Sequence, residues 1–62
     1  MANGGIDSLV YAAELSEDNG NWRRAYGLWK ELIARYGSYV SSEQLEYWEN
    51  HRDKCEEYMM RQ

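Results

Sequence analysis

Gly20-Asn21-Trp22-Arg23-Arg24-Ala25-Tyr26-Gly27-Leu28-Trp29-Lys30-Glu31-Leu32-Ile33-Ala34-Arg35-Tyr36-Gly37 is the stretch that decides the fold. Trp22, Ala25, Trp29, Leu32, Ile33 and Tyr36 recur at alternating spacings of three and four without a break, the pattern of one buried helix face. Asn21 can accept from the free N–H groups of the first turn as an N-cap. Gly20 before it supplies the left-handed position that ends a preceding helix, and Gly37 is expected to do the same at the far end. A connection as short as Gly20-Asn21 makes the preceding helix an antiparallel neighbour, an αα-hairpin.

On the N-terminal side the spacing predicts a helix over residues 7–19. Asp7 serves as its N-cap and Ile6 and Tyr11 form a hydrophobic staple. Leu9, Val10, Ala12, Ala13 and Ser16 form its inward stripe. Residues 1–6, with adjacent glycines at 4 and 5, read as a flexible lead-in. On the C-terminal side Ser41 and Gln44 form a capping box, flanked by Val40 and Leu45 at staple positions, and a helix follows over 41–60. Leu45, Trp48, Arg52, Cys55 and Met59 share one of its faces, and Tyr47, His51, Lys54 and Tyr58 an adjacent one. Glu57 and Arg61 are spaced for an i,i+4 pair. The expectation is therefore an all-α, single three-helix domain over residues 7–60, with helices 1 and 2 an antiparallel hairpin and helix 3 packed across it. Its core is Leu9, Ala13, Trp22, Ala25, Trp29, Leu32, Ile33, Leu45, Trp48 and Cys55.

Composition agrees with helix. The 62 residues include no Pro, and β-branched side chains are confined to Ile6, Val10, Ile33 and Val40, too few for a sheet. A chain this short buries only about 60% of its unfolded surface. Three Trp and six Tyr, with no Phe, exceed what one small core can hide, so some belong to an exposed or shared surface. The net charge of −4 opposes non-specific phosphate binding. The charge is uneven: residues 1–20 carry four acids and no base, 21–36 four bases against one acid, and 41–62 six acids against three bases. No apolar run approaches the roughly 20 residues that span a bilayer. The first residues lack the basic start of a signal peptide, and a lone Cys55 cannot form an intrachain disulfide, so a reducing, cytoplasmic setting is expected.

His51 and Cys55, at i,i+4, present two metal ligands where a structural zinc site needs four, so neither a metal nor a cofactor is expected. Glu43, Glu46, Glu49, Glu56 and Glu57 resemble paired catalytic carboxylates only in number. Catalysis requires a pocket of about 300 Å³ or more, for which so small a bundle has little room, and these acids are expected to form a solvated face. Arg23, Arg24 and Lys30 either complement the acidic helices or contact nucleic acid or an acidic partner. Tyr47, His51, Lys54 and Tyr58 are the candidate partner-binding face, since tyrosine is enriched at interfaces. The same stripe could pair two copies as a homodimer that weakens as His51 gains charge below about pH 6.5.

Two resemblances follow from these residues. Gly20, Trp22, Ala25 and Trp29 fall where a tetratricopeptide half-repeat places its turn glycine, large aromatic, small residue and second aromatic. One such unit is visible and solenoids need about three, so this likeness implies a helical hairpin. The block Gly20-x-Trp22-Arg23-Arg24-Ala25-x-x-x-Trp29, with the later Arg52-x-x-Cys55 after Tyr47 and Trp48, resembles the PerC-like family of small bacterial transcriptional activators. Ser16 stands where that family usually has Leu. The resemblance implies a non-enzymatic regulator of transcription, in a bacterial or phage-infected bacterial cell, acting through a partner or DNA. The alternative is a phage-encoded accessory protein that binds a host protein and alters host or phage development without touching DNA.

Overall fold

A computed structural model describes residues 4–61, which form α1 (Gly4–Asp18), α2 (Trp22–Tyr36), a 3-10 turn (Gly37–Tyr39) and α3 (Ser42–Arg61), with no strand among them. The protein is an all-α, three-helix domain, as the spacing predicts.

The α1–α2 corner follows the expected chemistry. Gly20 has φ +75°, and two hydrogen bonds close the end of α1: Gly20 N–H to the Glu17 carbonyl at 2.9 Å and Asn21 N–H to the Ser16 carbonyl at 2.8 Å. This is the Schellman pair, which satisfies carbonyls the helix leaves open. The Asn21 side chain then accepts from Arg24 N–H at 3.4 Å to start α2. At α3, the Ser41 hydroxyl accepts from Gln44 N–H at 3.1 Å.

Two boundaries differ from expectation. Helix α1 begins at Gly4 instead of Asp7, so residues 4–6 are helical, while residues 1–3 of the expected lead-in lie outside the described residues. Asp7 is a first-turn acid, not the N-cap, where its charge complements the helix dipole. With the start displaced, Ile6 and Tyr11 lose their staple positions, and Tyr11 is 69% exposed. Tertiary packing outweighs the poor helix propensity of glycine here: Gly5 packs under Tyr36, and a Cβ there would lie 2.6 Å from its hydroxyl oxygen and push the ring end aside. Gly37 ends α2 but not as a left-handed cap. Its φ of −59° and ψ of −33° are right-handed and lead into the 3-10 turn. A Cβ there would approach Leu45 Cδ1 to 3.3 Å, so this glycine makes room for the first turn of α3.

Helix α2 is the central element. Both α1 and α3 pack along it, while the backbones of α1 and α3 approach each other at hardly any point. The Cα trace measures 36 × 23 × 15 Å, wider than it is thick. Ala13, Ala25, Trp29, Leu32, Trp48 and Cys55 are fully buried, all from the expected core. Leu9, Trp22, Ile33 and Leu45 pack half-buried around them. Ser16 is also buried and donates its hydroxyl to the Ala12 carbonyl at 2.8 Å, which removes the cost of a polar group inside.

Candidate functional site

The densest polar arrangement centres on Glu17, one residue before the end of α1. Its side chain is only 9% exposed. Oε2 accepts from Trp29 Nε1 on α2 at 2.7 Å and from His51 Nδ1 on α3 at 2.8 Å, with Cys55 Sγ at 3.4 Å. Oε1 pairs with Lys54 Nζ at 3.0 Å. A carboxylate can only accept, so His51 carries its proton on Nδ1. Burial raises the Glu17 pKa, but the hydrogen bonds from His51, Lys54 and Trp29 together outweigh it and hold the carboxyl below its ordinary 4.5. The hydrogen bond to Glu17 in turn raises Lys54. One acid from α1 thereby ties both other helices to it.

Glutamate, histidine and cysteine in one place invite comparison with nucleophilic catalysis. The thiol is wrong for it: burial, followed by the Glu17 charge, pushes Cys55 up to about 12, and a thiol protonated at neutral pH is not a nucleophile. Among the described residues no group of three or more His, Cys, Asp or Glu side chains is placed to hold a metal.

The four residues of the expected partner face all meet other helices. Tyr47 donates to Glu14 at 3.0 Å and stands edge-on to Trp29 with centroids 6.1 Å apart. That hydrogen bond, with burial, raises the Tyr47 phenol above 10.0. His51 lies 4.8 Å from Trp29 and 4.4 Å from Tyr47, centroid to centroid. Tyr58 stacks on Trp22 at 4.5 Å, and Lys54 is bound to Glu17. The stripe expected to be spare is the seam that docks α3 on the hairpin, because α2 alone cannot cover both α3 faces. Tyr47 and Tyr58 keep outer edges exposed, but a homodimer through this stripe must share side chains already engaged within the chain. Of the basic candidates, Lys30 sits 5.2 Å from the Tyr26 ring centroid. Arg23 and Arg24 are exposed on the first turn of α2 and make no ion pair among the described residues. Among the five acids expected on a solvated face, Glu49 is half-buried and the rest are exposed.

The remaining feature is one that sequence reasoning missed. On the far side of the Glu14 and Glu17 contacts, a cleft of about 390 Å³ opens between the first turns of α1 and the start of α3. Ile6, Val10 and Tyr11 of α1 line it opposite Val40 and Trp48, with Asp7, Glu14 and Gln44 as its polar members. A second cleft, of about 320 Å³, lies between α2 and α3 beside Lys30 and Arg52. The expectation that so small a chain lacks space on this scale is therefore wrong. Trp48 is fully buried, and its indole N–H has no acceptor among the described residues. The signals were present but separable only in three dimensions: Val10, Ala13 and Glu17 share a helical stripe, and Glu17 is its one acid.

Among the described residues no helix is long and apolar enough to cross a membrane. No family model, curated protein or solved structure matches the chain.

Proposed function

We propose that the protein is a small, non-enzymatic interaction protein that regulates transcription through a protein partner, as its PerC-like resemblance implies. The open, partly apolar cleft between α1 and α3 carries this reading. It pairs Ile6, Val10, Tyr11 and Val40 with Asp7, Glu14 and Gln44, and concave apolar surface with a few polar groups is where partners bind. The acidic balance of the chain favours a protein over nucleic acid. A phage-type accessory protein would use the same cleft on a host target, with no DNA involved. The test is capture of partners on the tagged chain from a bacterial lysate treated with nuclease. Stoichiometric retention of a protein supports the reading, and retention of nothing once nucleic acid is removed contradicts it.

A second reading, direct DNA contact, draws on Arg23 and Arg24, which have no ion-pair partner among the described residues. In a gel shift at low salt, a complex weakened by Arg23→Glu and by added salt supports it. Absence of any complex removes it.

A further inference from the structure

Resting on that reading, we infer that the α1–α3 cleft receives an amphipathic helix with a basic flank from another protein, seated against Ile6, Val10, Tyr11 and Val40. The walls fix the shape of the occupant. On α1 the lining residues Ile6, Val10 and Glu14 repeat every four positions; across the cleft stand Val40, in the extended turn before α3, and Gln44 and Trp48 of α3. A helical ridge of this kind beside an open groove accepts the ridges of another helix, and the α1 wall, from Ile6 to Glu14, is about 12 Å long at 1.5 Å per residue, or two helical turns. An occupant of that length needs apolar anchors at i, i+3 or i+4, and i+7.

Charge fixes its sign. Helix α1 carries Asp7, Glu14, Glu17 and Asp18 and no base. Asp7 and Glu14 reach the cleft itself, and no basic side chain lines it. An acidic rim around an apolar floor repels nucleic-acid phosphates and attracts Lys and Arg. The same charge opposes the pairing of two copies through this cleft. Two copies joined cleft to cleft would oppose acid to acid. The chain's own basic helix, α2, has its apolar side inside the core and shows outside only Arg23, Arg24, Gly27, Lys30, Ala34 and Arg35. It has basic groups but no exposed large apolar side chain to place in the cleft. The occupant is therefore a different protein's helix.

The test uses three synthetic peptides of about 15 residues, long enough for the two turns of the wall. The first carries a Leu stripe with Lys elsewhere, the second the same stripe with Glu elsewhere, and the third the first composition scrambled. Binding is read from the three tryptophan indole N–H resonances of the labelled protein. The Lys-flanked stripe is expected to move the Trp48 signal most and to bind more weakly as salt rises, while the Glu-flanked and scrambled peptides leave it in place. Tyr11→Ala, at an exposed position, should lower affinity about ten-fold, and Asp7→Asn should reduce the salt dependence. Equal binding of Lys- and Glu-flanked stripes, or shifts confined to Trp22 and Trp29, overturns the inference. A partner captured from lysate and retained equally by Tyr11→Ala also overturns the cleft assignment, while leaving the regulatory reading standing. A peptide result as expected with no captured protein does the reverse.

Discussion

Replacing Glu17 with alanine removes the carboxylate of α1 that accepts hydrogen bonds from both other helices. Lys54 is 44% exposed, so its ion pair is screened by solvent and adds little. The weight falls on the hydrogen bonds from Trp29, whose ring is fully buried, and from His51, 21% exposed. Hydrogen bonds to a charged acceptor contribute about 1.5–3 kcal/mol each, and loss of the acceptor strands the buried indole N–H. Allowing for water reaching the new gap, Glu17→Ala should cost about 2–4 kcal/mol. A chain of 62 residues has a total stability of about 3–9 kcal/mol, and a domain of this size loses roughly 4–8 °C of Tm per kcal/mol, so the melt should fall by roughly 10–30 °C. The acid limb supplies a second readout. The Glu17 carboxyl titrates below 4.5 in the folded chain, so the unfolded chain binds the proton first as pH falls. Its contribution is therefore complete above about pH 4.5 and disappears as pH drops through the lower, folded value. Glu17→Gln should flatten that limb while keeping the shape of the site. Thermal melts followed by circular dichroism from pH 7 down to pH 3 measure both. A Glu17→Ala melt within about 3 °C of wild type, with an unchanged acid limb, refutes the reasoning.

Trp29→Ala should cost about 3–5 kcal/mol and leave the chain largely unfolded at 25 °C; a cooperative melt near the wild-type temperature argues against its central place. The same substitution at two glycines should have opposite signs. Gly20→Ala forces a Cβ into the left-handed region at φ +75° and should destabilise by about 1–2 kcal/mol, whereas Gly27→Ala, in an exposed helical position with nothing within 4 Å, should stabilise by about 0.5–1 kcal/mol. Urea titrations of the two variants compare them directly. Cys55 should react with a thiol reagent at pH 8 only as fast as the chain opens, and rapid labelling of the folded protein contradicts its burial and its pKa of about 12.

The fold was legible where local chemistry and tertiary packing agree. Asn21 and Ser41 cap where their side chains allow, Gly20 turns where only glycine is comfortable, and the Trp22–Tyr36 spacing places Ala25, Trp29 and Leu32 inside. It was illegible where packing overrides propensity. Gly4-Gly5 is a poor helix start by itself and becomes one because Gly5 lies under Tyr36; Gly37 looks like a left-handed cap and is instead a gap for Leu45. The candidate site was less legible still. Tyr47, His51, Lys54 and Tyr58 do form one surface, but which surface faces solvent depends on how α3 rolls on α2, and no spacing along a single helix encodes that. Glu17 counted only as part of the acidic charge of the first helix, since its significance lies in four donors arriving from two other helices.

The Glu17 hydrogen bonds also separate the chain in time. The contact with Trp29 spans 12 positions, but those with His51 and Cys55 span 34 and 38. The hairpin can therefore close on itself while α3 is still searching, and the long loops close last because their entropy must be overcome first. Interactions completed after the folding barrier leave the refolding rate unchanged and set the rate of opening. Removing the His51 contact is therefore expected to speed unfolding more than it slows refolding, so that this imidazole governs how long the native state lasts.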